Sequence, residues 1–145
     1  MKIIKYIPIL LILFSVSCCV NQQKNEEEQI KETVQKFWIA VQNNDEQNFL
    51  NIIEYDDEYK LALLNQLHYL NRNYSKIDDI IHSKEIQIIE TKELGETQKY
   101  VEYLFVKPNS LVEPLNIKLF FYKQIGYNKI FNVRILGNLP QWEKE

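Results

Sequence analysis

An α+β domain, with N-terminal helices packed on a curved four-stranded antiparallel meander, is predicted by three observations. Apolar residues recur at helical spacing up to residue 73, alternation replaces that spacing after Ser75, and Gly95, Gly126 and Gly137 fall at turns or element ends. The first helix spans about 26–43, where Ile30, Val34, Phe37, Trp38 and Val41 stand at i, i+4, i+7, i+8 and i+11 and so share one face. Glu26, Glu27 and Glu28 fill its first turn, where negative charge favours the positive end of the helix. Asn43-Asn44-Asp45 ends it and caps a short second helix, 45–53, with Phe49, Leu50, Ile52 and Ile53. A third helix, 56–73, repeats the spacing through Leu63, Leu67 and Leu70 to Tyr74, with Leu61 and Leu64 widening its apolar stripe.

The meander occupies about 84–136, as runs Lys84–Leu94, Thr97–Lys107, Leu115–Ile125 and Asn128–Leu136, each rich in Ile, Val, Tyr or Phe. In the second run Tyr100, Leu104 and Val106 alternate with Val101, Tyr103 and Phe105, so both faces are apolar, and the third run is similar. Such strands are expected to be central, with helices on one side and a second layer, a partner or the C-terminal tail on the other.

Composition narrows the function classes. The 145 residues are 46% hydrophobic and 26% charged with net charge −3, which supports one domain with a core and excludes collagen-like, disulfide-stapled and disordered chains. With Arg72 and Arg134 as the two arginines, the clustered cations that nucleic acid requires are missing, and no nucleic-acid partner is expected.

Residues 1–17 are read as a targeting segment. Met1-Lys2-Ile3-Ile4-Lys5 is a short positive start, and Tyr6 to Phe14 is apolar apart from Pro8. This run is about half the roughly 20 residues a membrane-crossing helix needs. Ser17-Cys18 resembles the lipobox of bacterial lipoproteins, in which the cysteine is acylated and the chain cut before it, although Ser15 stands where many such boxes have Leu. Cys18 is the expected lipidation site and Cys19 the rival; an ordinary secretory peptide with two incidental cysteines, or a Cys18–Cys19 disulfide, are the alternatives. Residues 18–25 then form a polar tether, 26–136 the domain and 137–145 a tail. Without Lys2 and Lys5, 15 basic residues face 20 acidic ones, a mature charge of −5.

The phrase K-F-W-I-A-V-Q-N-N-D-E-Q-N-F-L, followed by a C-terminal meander, resembles the nuclear transport factor 2-like superfamily over residues 26–136. The Trp-Lys-Ile strand of many relatives is replaced here by Asn128-Lys129-Ile130-Phe131. The resemblance implies a conical half-barrel around an apolar pocket, in a superfamily that includes isomerases, dehydratases, cyclases and non-enzymatic binding modules. Fold alone does not choose among them.

Three glycines form neither a P-loop nor a dinucleotide fingerprint, Ser75, Ser83 and Ser110 lie in no G-x-S-x-G elbow, and two histidines give no zinc motif. No metal or cofactor is expected. The remaining catalytic option is a proton transfer by a buried acid or by His68, which borders the stripe of the third helix; His82 ranks below it. Asp56-Asp57 and Asp78-Asp79 read as helix caps or solvated turns. Phe37, Trp38, Tyr103, Phe105, Phe121 and Phe131 line a ligand pocket or fill a core. Trp142 in the tail is expected to seal an edge or to anchor a partner.

The chain is therefore expected to be a membrane-anchored lipoprotein of a bacterial envelope, on the outer membrane where there are two. Its domain is read as a non-enzymatic module for a protein or a small apolar ligand. The alternatives are a lyase or isomerase of the cone type and a structural module that forms a homodimer through the sheet.

Overall fold

A computed structural model describes residues 26–83, 85–93, 95–105 and 115–136. The expected targeting segment, Cys18, Cys19, residues 106–114, Trp142 and the side chain of Phe105 lie outside the described residues.

Helix α1, 26–43, buries Ile30, Val34, Phe37, Trp38 and Val41, all under 5% exposed. Asn44 adopts a positive φ of 52°, which an Asn tolerates and which closes the helix. Asp45 then caps α2 (Glu46–Asn51), its carboxylate accepting from the Asn48 amide at 3.0 Å. That bond, with a second from the Asn48 side chain, holds the Asp45 pKa below its ordinary value against slight desolvation. From α3, Asn71 donates Nδ2 hydrogen bonds to the Gln42 carbonyl at the end of α1 and to that of Val41, which also accepts from the Asn44 amide.

The expected second helix stops short of residue 53. Ile53 forms a parallel bridge with Ile130; the Ile130 amide donates to the Ile52 carbonyl and the Glu54 amide to the Ile130 carbonyl, each at 2.8 Å. A partner distant in sequence thus overrides the local helical signal. After a 3₁₀ turn, Asp57–Tyr59, α3 (Lys60–Asn73) buries Leu63, Leu67 and Leu70. Leu61 does not widen the buried stripe; it is 70% exposed. A second 3₁₀ turn, Tyr74–Lys76, leads into α4 (Asp78–Ser83), where alternation had been expected to begin. Asp78 and Asp79 form the first turn of α4, and the Asp78 carboxylate accepts from the Asp79 amide at 2.9 Å. Asp56 occupies the cap position of its 3₁₀ turn, but its side chain makes no cap hydrogen bond.

The sheet is a four-stranded antiparallel meander, β1 (Ile88–Glu93), β2 (Glu96–Phe105), β3 (Leu115–Tyr122) and β4 (Asn132–Leu136), in sequential order. Gly95 turns β1 into β2 at φ +86°, where a side chain would be strained despite open space around it. Strand β1 begins only at Ile88, after 85–87 without regular structure, and β3 and β4 are shorter than their apolar runs because residues 123–129 form turns in which Gly126, at φ +92°, returns its amide to the Tyr122 and Lys123 carbonyls.

Val101 and Tyr103 of β2, Ile117, Leu119 and Phe121 of β3, and Val133 of β4 face the helices and complete one core. The start of α1 is tied to the sheet by polar contacts. Thr33, 2% exposed, donates its hydroxyl to the Gln29 and Tyr127 carbonyls at 2.8 and 2.9 Å, alternative acceptors for one proton. Lys99 pairs with Glu26 at 2.8 Å and lies 5.1 Å from the centroid of the Tyr127 ring. Burial opposes the lysine charge, but the Glu26 hydrogen bond and the charges of Tyr127, Glu26 and Glu90 outweigh it, so the Lys99 pKa lies above its ordinary value.

Candidate functional site: the outer face of the sheet

Phe37, Trp38, Tyr103 and Phe121 belong to the closed core, each under 5% exposed. Their rings interlock edge to face: Phe37–Trp38 centroids are 5.0 Å apart and Trp38–Tyr103 5.1 Å, with Phe49 at 5.4 Å from Phe37. Burial pushes the Tyr103 phenol up; the Trp38 indole N–H partly counters this, although it falls short of hydrogen-bond geometry and has no full partner. These four rings fill the space that an apolar pocket on the helix side would need. Phe131 is not among them. It is 44% exposed and packs edge-on against Tyr122, 4.5 Å between centroids.

Beside Trp38 a shallow groove of about 480 Å³ runs between α1, α4 and Ile86. Tyr74 and His82 meet at its edge, hydroxyl to Nε2 at 3.4 Å. Burial, then the charge of Asp78, raises the Tyr74 pKa.

His68 lies on the surface. Its side chain is 42% exposed and its Nε2 stands 3.1 Å from Glu46 Oε1, in an open polar depression with Asn44, Asn65 and Arg72. A general base acting on a carbon acid is most effective where water is excluded, and this depression is open to water. Among the described residues no group of three His, Cys, Asp or Glu side chains is placed to hold a metal ion, and no helix is long and apolar enough to cross a membrane.

The face of the sheet turned away from the helices is organised in rows. Ile89, Tyr100 and Phe120 stand opposite one another across β1, β2 and β3, and Glu102, Lys118 and Arg134 form the neighbouring row across β2, β3 and β4. The Tyr100 and Phe120 rings are 5.5 Å apart. The cations of the second row fold over the rings of the first, Lys118 Nζ 5.0 Å from the Tyr100 centroid and the Arg134 guanidinium 5.2 Å from that of Phe120. Glu102 accepts from Asn116 Nδ2 at 2.6 Å and pairs with Lys118 at 3.2 Å. The Asn116 hydrogen bond leads in lowering the Glu102 pKa; partial burial opposes it and Lys118 adds to it. Arg134 has no carboxylate partner among the described residues, so its fork of donors remains available.

Where β2, β3 and β4 meet Phe131, an open depression of about 410 Å³ is bordered by Gln98, Phe120, Tyr122, Phe131 and Arg134. Ile89 at 37%, Leu104 at 46% and Phe131 at 44% exposure show that no described element covers this face. Sequence alternation indicates that both faces are apolar, and the charges of Lys118 and Arg134 between the aromatics are the signal that marks this one as outer. Compared with protein-family models, curated proteins and solved structures, the chain matches none.

Proposed function

We propose that this chain is a lipid-anchored lipoprotein of a bacterial envelope whose domain acts as a non-enzymatic interaction module, with the outer sheet face as its contact surface. The observation that carries the reading is the exposure of Ile89, Leu104 and Phe131 around the Tyr100–Phe120 pair, edged by Arg134 and Lys118, on the face no described helix covers. Rings and arginine are the residue types that concentrate binding energy at protein interfaces. The filled core on the helix side favours this reading over an isomerase built around an internal pocket, and the surface position of His68 favours it too.

Anchoring is through Cys18, with Cys19 as the alternative acceptor. Two or three acyl chains hold a protein to a bilayer lastingly, each buried methylene contributing about 0.8 kcal/mol. Since α1 is pinned to the sheet at Glu26, residues 18–25 set the reach of the tether, at most roughly 28 Å at full extension. The domain then works close to the membrane surface. A long first helix, a short second helix and a meander support assignment to the nuclear transport factor 2-like arrangement, read here as a binding variant.

The test has two arms. Mass spectrometry of the membrane-extracted chain is expected to find an acylated Cys18 as the N-terminal residue, and Cys18→Ala to release the protein from membranes. A photo-crosslinking residue at Leu104 is expected to give a discrete adduct in native membranes, whereas the same residue at Leu61 on α3 gives none. An unacylated, uncut N-terminus would remove the anchor, and identical crosslinking at both positions would remove the contact surface.

A further inference from the structure

Another cavity lies on the β4 side of the sheet, separated by Phe131 and Asn132 from the outer depression, between the 53–56 loop, the first turn of α3 and the start of β4, with a volume of about 330 Å³. Its floor is apolar, formed by Ile53, Leu63 and Val133. Three rings border it, Tyr55, Tyr59 and Phe131, and two of them are largely exposed, Tyr59 at 55% and Phe131 at 44%. The charged groups that line it are Glu54 and Asp56, and no Lys, Arg or His does.

Local structure explains why these acids stay unused. The Ile53–Ile130 bridge draws residues 53–56 into an extended loop, so Glu54 spends its amide on the Ile130 carbonyl and leaves its carboxylate outside any helix. Asp56 stands at a cap position without capping. Neither carboxylate has an ion-pair partner among the described residues. Gln66 of α3 also lines the cavity, and its Oε1 is buried with no hydrogen-bond partner. That oxygen is sealed from solvent, so the polar groups the cavity offers a ligand are the two carboxylates.

Three rings and two carboxylates, with no cation among them, border one space with an apolar floor. We infer that this cavity binds a small organic cation, an amine with an apolar body, its ammonium group facing Glu54 and Asp56 and its body lying among Tyr55, Tyr59 and Phe131. An ammonium group is attracted to the electron-rich faces of aromatic rings, and an apolar body fills a space near the lower end of the usual range for ligand pockets. This inference stands apart from the outer-face reading, since its chemistry requires neither a lipid anchor nor a protein partner.

The test is a calorimetric titration of the full chain in nonionic detergent with three probes of equal body: phenethylamine, 2-phenylethanol and phenylacetate. Phenethylamine is expected to saturate below about 10 mM and to bind about tenfold more tightly than the alcohol, with phenylacetate weakest. Glu54→Gln with Asp56→Asn is expected to erase the preference for the amine while leaving the thermal midpoint unchanged, because both side chains are exposed. Phe131→Ala is expected to weaken amine and alcohol alike. Phenylacetate binding as tightly as phenethylamine, no saturation by the amine, or an unchanged preference in the double variant would each overturn the proposal.

Discussion

The two faces of the sheet have similar residue types and opposite fates. On the helix side Val101, Tyr103, Ile117, Leu119 and Phe121 are sealed at 3% exposure or less, among rings that meet edge to face. On the outer side Phe120 is covered to 9% exposure and Tyr100 is half-buried beneath the cations of Arg134 and Lys118, while Ile89, Leu104 and Phe131 stay open to solvent. The difference teaches that aromatic content does not distinguish a core from a contact surface in this chain. The identity of the neighbouring row does: aliphatic residues beside the inner rings, Glu102, Lys118 and Arg134 beside the outer ones.

The largest effect expected from this contrast comes from truncating one phenylalanine on each side. Phe37→Ala opens a cavity in a fully buried site and is expected to cost about 3–5 kcal/mol in denaturant unfolding. Phe131→Ala is expected to cost about 1 kcal/mol or less, in line with its exposure. Equal costs would break the distinction between the faces.

Thr33→Val comes next. It keeps the shape of the side chain and removes the hydroxyl that ties α1 to Tyr127, for an expected loss of about 1–3 kcal/mol from an unmet carbonyl in a buried site. Hydrogen exchange is expected to rise first at the start of α1 and in the 123–129 turns; a uniform rise would mean that this contact does not hold the end of the helix.

Arg134→Ala is expected to be milder still, about 0.5–1 kcal/mol, the range of an exposed cation–ring contact. Fluorescence-monitored urea unfolding gives the value, and a cost as large as that of Phe37→Ala would place Arg134 inside a sealed layer.

The smallest effect is conditional on pH. The folded-state pKa of Glu102 lies below its unfolded value, so its contribution to stability is present above the unfolded pKa and is lost as pH falls through the folded one. Glu102→Gln is therefore expected to lose less stability than the parent chain when pH drops from about 6 to below 4. Parallel curves would show that the Asn116 and Lys118 contacts contribute nothing measurable.

Legibility in the sequence followed the range of the interactions. Helix α1 was readable because its five buried positions keep one spacing and Asp45 supplies a local cap. The order and pairing of the strands followed from turn residues between successive apolar runs, as at Gly95 and Gly126. Helix α4 was missed because six residues with Ile81 buried and His82 exposed carry too little periodicity. Residues 53–56 read as helix end and cap until the Ile130 bridge, a contact between distant segments, is seen to extend them. The same contact opens the cavity with Glu54 and Asp56, so no spacing rule within the loop could have announced it. His68 illustrates the converse: helical spacing brought it to the border of the stripe, and rotation about the helix axis then decided that it faces Glu46 and water.

Hydroxyl-radical footprinting of the chain in its native membranes, compared with the purified chain, tests the central claim most directly. The outer-face account predicts that labelling of Leu104 and Ile89 falls in membranes, that Leu61, at 70% exposure on α3, is labelled equally in both, and that Phe37 stays unlabelled. Leu104 and Ile89 labelled as strongly in membranes as in the purified chain would contradict it.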